Sequence, residues 1–141
     1  MKQNYVPPKK ANITHPVILF KLTKSYNENM EPWQLYTATR GQWDMNLDQA
    51  QKFKYALACD AGLVVEVYEI QSWHKSNETM NEKELAFRRA KNLHAGPGKL
   101  EFVGEIATEE IRKQYKNTNV VEYWGKSHRL SFKYVEINKQ I

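Results

Sequence analysis

The stretch LYTATRGQW, residues 35–43, gathers groups suited to binding: Tyr36, Arg40 and Trp43, with Gly41 directly after the arginine. A guanidinium is a planar fork that fits a phosphate or a base edge. An indole or phenol ring offers a flat surface on which a base stacks, at roughly 1–3 kcal/mol per base. Gly41 is read as the residue that lets the backbone turn tightly beside Arg40. The competing reading is that Arg40 pairs with Glu66 or Asp44 and staples the sheet. On the binding reading, Arg40→Ala weakens ligand binding and leaves stability nearly unchanged.

Further rings stand beside polar residues rather than inside apolar runs. Trp43 precedes Asp44, Trp73 precedes His74-Lys75, and Trp124 precedes Gly125-Lys126. Tyrosine and tryptophan are costly to bury unless their polar atoms find partners. The candidate ligand-binding residues are therefore Tyr36, Arg40, Trp43, Glu66, Tyr68, Trp73 and His74. Lys99, Lys126 and Arg129 are the candidate phosphate contacts. The net charge of +5 agrees with a polyanionic partner.

Other chemistries find less support. Four separated histidines and the single Cys59 lack zinc-ligand spacing, so no metal and no cofactor are expected. GPGK, residues 96–99, lacks the phosphate-loop frame. The His74-Lys75-Ser76 triplet has no second copy to make a two-histidine phosphoesterase. Cys59 is read as buried and inert. Glu66, Glu69, Glu101 and Lys99 could assemble a nuclease-like cluster across neighbouring strands, an unspecific signal.

The elements that must carry these groups follow from periodicity. Residues 1–15 are a polar, proline-containing extended tail with no apolar leader core, and 16–141 form one α+β domain. No run approaches the ~20 apolar residues of a membrane helix. With one cysteine, a reducing, cytoplasmic setting is expected. Residues 16–22 read as a strand, and 33–43 as ambiguous between strand and loop. Residues 47–60 read as a helix capped by Asn46. LVVEVYEIQSW, 63–73, is the clearest strand, with Glu66 and Tyr68 on one face. Residues 75–98 read either as a helix capped by Asn81 and Glu84 or as a mobile excursion. Residues 99–107 alternate as a strand, Thr108 caps a helix to 115, and 130–137 read as a final strand. Two or three helices and about four amphipathic strands imply a curved, largely antiparallel, barrel-like sheet.

ALACDAGLVVEVYEIQSW followed by KLEFVGEIA resembles the central strands of the PUA-like superfamily, which includes ASCH, EVE and YTH-type domains. LYTATRGQW, EVYEIQSW and EFVGEIATEEIRKQY are also similar to small bacterial and phage proteins. The resemblance implies a β-barrel that binds RNA, DNA or a modified base in a cleft, and it transfers no catalytic residue. The expected function is a non-catalytic nucleic-acid or modified-nucleotide binder, in a setting such as phage–host defence or counter-defence. The alternatives are a small nuclease or transferase acting on nucleic acid or nucleotides, and a protein-binding inhibitor.

Overall fold

The structure, a computed structural model, describes residues 6–93, 98–127 and 130–137. In chain order the elements are β1 (Val17–Lys21), α1 (Pro32–Arg40), β2 (Gly41–Trp43), α2 (Leu47–Ala50), β3 (Tyr55–Asp60) and β4 (Leu63–Lys75). There follow α3 (Glu82–Ala90), β5 (Leu100–Ile106), α4 (Glu109–Tyr115), α5 (Val121–Trp124), a 3-10 turn (Gly125–Ser127) and β6 (Phe132–Val135). The six strands form one sheet in the order β2-β5-β4-β3-β1-β6, curled into a half-barrel. β1 and β3 run parallel, and the other four neighbour pairs are antiparallel, so the sheet is mixed.

The curl has a local origin. β4 is 13 residues long and meets a register shift on each side. One lies against β3 between Ala58 and Cys59, the other against β5 between Ile70 and Ser72. An extra residue in one strand of a pair bends it and increases its twist. The hairpin between β3 and β4 turns on Ala61 and Gly62, both at positive φ (49° and 83°). A two-residue turn with both central residues left-handed matches the natural twist of the strands it joins.

Two of the sequence readings are corrected here. The expected helix over 47–60 is only the four-residue α2, held by Asn46 Oδ1 accepting from the Gln49 N–H (3.0 Å), followed by a strand. In β3 the odd residues Tyr55, Leu57 and Cys59 enter one core, with Val17, Leu19 and Val67. Ala56 and Ala58 enter the other, with Ile18, Phe20 and Phe102. A strand buried on both faces shows no alternation, and its alanines imitate a helix. The second correction concerns the helices, of which there are five among the described residues rather than two or three.

The ambiguous residues 33–43 are α1 running directly into β2. Pro32 sits in the first turn, and the Glu31 N–H donates to Gln34 Oε1 (2.8 Å). Thr37 and Thr39, which favoured a strand, instead donate their hydroxyls to the carbonyls of Trp33 and Leu35 one turn back, each at 2.8 Å. In the 75–98 region the helical alternative is realised as α3, capped by Asn81 Oδ1 accepting from the Glu84 N–H (2.8 Å). Strands β4 and β5 and the Thr108-capped α4 lie where the pattern put them.

The N-terminal segment is extended and docked. Ala11 donates to the carbonyl of Asn119 (2.9 Å), and Asn119 donates back to Lys9 (2.7 Å). The Thr14 N–H donates to Tyr115 Oη (3.1 Å), which also lies 2.6 Å from His15 Nδ1.

Candidate nucleotide-binding cleft

The end strands of the sheet, β2 and β6, face each other across a gap. A cleft of about 960 Å³ opens there, at the rim where β1 and β3 end. Its walls come from the segment after β1, from β2, from the β3–β4 hairpin, and from α5 and the start of β6, with the end of α3 at one side. Sites that accept small molecules run to roughly 300–1,000 Å³. Trp43, Trp124 and Phe132 supply flat apolar wall. Lys21, Lys24, Arg88 and Lys99 supply positive charge, and Asp44 is the one acid among the described lining residues.

The rings are fixed from behind. Trp43 packs tilted against Phe20 at 4.8 Å and meets Phe132 edge-on at 6.4 Å, and its indole N–H donates to the Thr39 carbonyl (2.8 Å). The Lys21 ammonium lies 5.1 Å from the Trp124 ring centre, within range of a cation–π attraction. Cys59 lines the floor, where burial raises its thiol pKa far above the ordinary value and keeps it protonated.

Behind β2 lies a buried polar cluster joining α1, the 76–81 loop, α3 and β5. Glu101 is fully buried at its centre. It accepts from the backbone N–H of Asn77 (2.6 Å) and Thr79 (2.8 Å), from the Thr79 hydroxyl and from the Gln42 amide (3.4 Å). Burial disfavours its charged form, but these hydrogen bonds outweigh that and hold its carboxyl below the ordinary carboxylate value. Arg40 is 3% exposed. It donates through Nη2 to Thr79 Oγ1 (2.7 Å), and its Nη1 lies 3.5 Å from Glu84 Oε2 and 3.9 Å from Glu101 Oε2. Its guanidinium also stands 5.0 Å from the Tyr36 ring centre.

Gly41 serves this cluster differently from the expected tight turn. Its φ of −164° is ordinary extended backbone. A methyl group there would sit 2.8 Å from both Glu101 Cβ and Met80 Cε, so the glycine permits the close approach of β2 to β5.

The sequence-derived candidates therefore fall into separate places. Trp43 and Lys99 line the cleft, and Lys126 is exposed on the 3-10 turn next to Gly125 at its rim. Tyr36, Arg40 and Tyr68 form an interior group: Tyr36 and Tyr68 rings are 5.4 Å apart, and Tyr36 Oη accepts from the Gly104 N–H (3.0 Å). Burial pushes the Tyr68 hydroxyl pKa well up, and Glu66 adds to it. Trp73 packs on Phe102 at 5.5 Å, and His74 Nε2 lies 2.8 Å from Ser72 Oγ.

Glu66 is held by Arg112, whose Nε and Nη2 lie 2.9 and 3.1 Å from its two oxygens, with Lys116 at 3.5 Å. Arg40 thus pairs with Glu84 and Glu101, and Glu66 pairs with α4. Glu69, the other acid of the nuclease-like set, faces Lys54 at 4.0 Å. Glu66 and Glu101 are each tied into different networks, so these acids do not converge. Among the described residues no group of three His, Cys, Asp or Glu side chains is placed to hold a metal ion. Arg129 lies outside the described residues.

Lys21, Lys24, Arg88 and Phe132 escaped sequence reasoning. A signal existed for the first two: KLTK closes the apolar run VILF, which places lysines at a strand end. The chain matches no family model, and comparison with curated proteins and with solved structures finds no match.

Proposed function

We propose that the chain binds nucleic acid or a modified nucleotide in the cleft between β2 and β6. One observation carries this reading: Trp43, Trp124 and Phe132 share a single cleft with Lys21, Lys24 and Lys99. Rings take the base face, and ammonium groups take the phosphates that flank it. An open seam between two end strands gives a strand of nucleic acid a way in without local unfolding. A curled sheet is also what the PUA-like resemblance calls for, and on that resemblance the ligand is bound at the barrel wall.

The test is fluorescence anisotropy with labelled single- and double-stranded oligonucleotides at two salt concentrations, with tryptophan emission followed in parallel. Binding is expected to weaken as salt rises, in proportion to the phosphates contacted. Stacking on Trp43 or Trp124 is expected to quench emission. Absence of binding to every oligonucleotide and nucleotide tried, or an affinity indifferent to salt, overturns the reading.

A further inference from the structure

We propose that Arg88 is the anion anchor of the cleft, the group against which a phosphate of the bound nucleotide or nucleic acid seats. The inference rests on the binding reading above and adds to it a residue at the end of α3.

Arg88 is 5% exposed and lines the cleft. Its Nη1 donates to the carbonyl of Gly41. Among the described residues no carboxylate oxygen comes within 4.0 Å of its guanidinium, because both nearby acids are engaged elsewhere. Glu84 takes the Thr37 hydroxyl (2.8 Å), the Asn81 N–H (3.2 Å) and the Arg40 ion pair. Glu101 is saturated by Thr79, Asn77 and Gln42. The residues outside the described set include no aspartate or glutamate.

A buried guanidinium bonded to a neutral carbonyl, without a paired carboxylate, is an expensive arrangement. Burial lowers its pKa to about 10, with Glu101 and Glu84 pulling it up and Arg40 pushing it down. The position at the end of a helix gives some compensation from the helix dipole, though far less than a paired anion. Arg88 and Lys99 line the same cleft, whose described lining holds a single acid, Asp44. A phosphate supplies the missing charge and accepts the parallel N–H bonds that a guanidinium fork presents. Lysine cannot reproduce that fork.

The experiment uses the full chain with two probes, inorganic pyrophosphate and a short oligothymidylate, and reads the Arg88 Nε–Hε resonance and the affinity for each. Pyrophosphate is expected to move that resonance, and Arg88→Lys is expected to weaken pyrophosphate binding by about tenfold or more. Oligonucleotide binding that is unchanged in Arg88→Lys overturns the anchor and leaves the binding reading standing. Arg88-dependent pyrophosphate binding without oligonucleotide binding supports the anchor and overturns the nucleic-acid reading. No response to either probe overturns both. If Arg88→Lys does not fold, the wild-type resonance decides: a signal unmoved by excess pyrophosphate refutes the anchor.

Discussion

The two sides of β2 hold similar side chains to opposite ends. On one side, the Glu101 cluster sets Arg40 against two carboxylates, Glu84 and Glu101, and nearly every oxygen has a donor. On the other, the described lining of the cleft includes Lys24, Arg88 and Lys99 and a single acid, Asp44. Paired and hydrogen-bonded charge in a dry interior fixes α1, α3 and β5 to one another. Positive charge around open space is instead accessible to an anion from solution. The lesson is that an arginine beside aromatic rings does not by itself mark a ligand site. The pairing of its charge does.

Removing Arg40 strains this contrast most. Arg40→Ala leaves Glu84 and Glu101 short of their cation in a buried site, and breaking such a pair costs on the order of 3–5 kcal/mol. Chemical denaturation is expected to show that loss. A change under about 1 kcal/mol would place Arg40 with the cleft residues instead and restore it as a ligand contact.

Acid is the next largest perturbation. Glu101 and Glu66 both titrate below their ordinary value in the folded chain. A depressed carboxylate contributes stability that is present above its unfolded pKa and lost as pH falls through the folded one. Stability is therefore expected to hold near neutrality and to decline below about pH 4.5, the ordinary value for glutamate. Glu101→Gln should be less stable at neutral pH and lose part of that decline. A variant with the full acid response of the parent would remove Glu101 from the account.

The cleft lysines should give the smallest change in stability and the clearest change in binding. Lys24→Ala and Lys99→Ala are expected to stay within about 0.5 kcal/mol of the parent. Each should reduce the salt slope of oligonucleotide binding by about one unit if it contacts one phosphate. Trp43→Ala sharpens the same point from the aromatic side. It should cost roughly 1–3 kcal/mol in binding, plus a measurable melting-temperature loss because the ring also packs on Phe20.

The elements most readable in advance were those with a strong local composition or cap. β4 shows itself through its β-branched and aromatic residues, β5 through the alternation of its sequence, and α4 through Thr108 with Glu109 and Glu110 behind it. β3 was misread because burial on both faces erased its period. α1 was undecided because Thr37 and Thr39 satisfy their hydroxyls inside the helix, a solution that composition does not reveal. Trp43 and Lys99, singled out from their neighbours in sequence, both line the cleft. The partners of Arg40 could not, since Thr79 lies 39 residues away and Glu101 still further. Nor could the cleft itself, which needs β1 and β6 side by side, a pairing that unites Phe20 with Phe132 across most of the chain.

That last pairing has a consequence for how the site comes into being during synthesis. β1 leaves the ribosome well before β6, the last strand described, and its outer edge lacks that partner until β6 has emerged. Trp124 and Phe132 arrive in the same late stretch. A nascent chain can settle β3, β4 and β5 around the Glu101 cluster while one wall of the cleft is still missing, so the cleft is complete only once β6 has been added and docked.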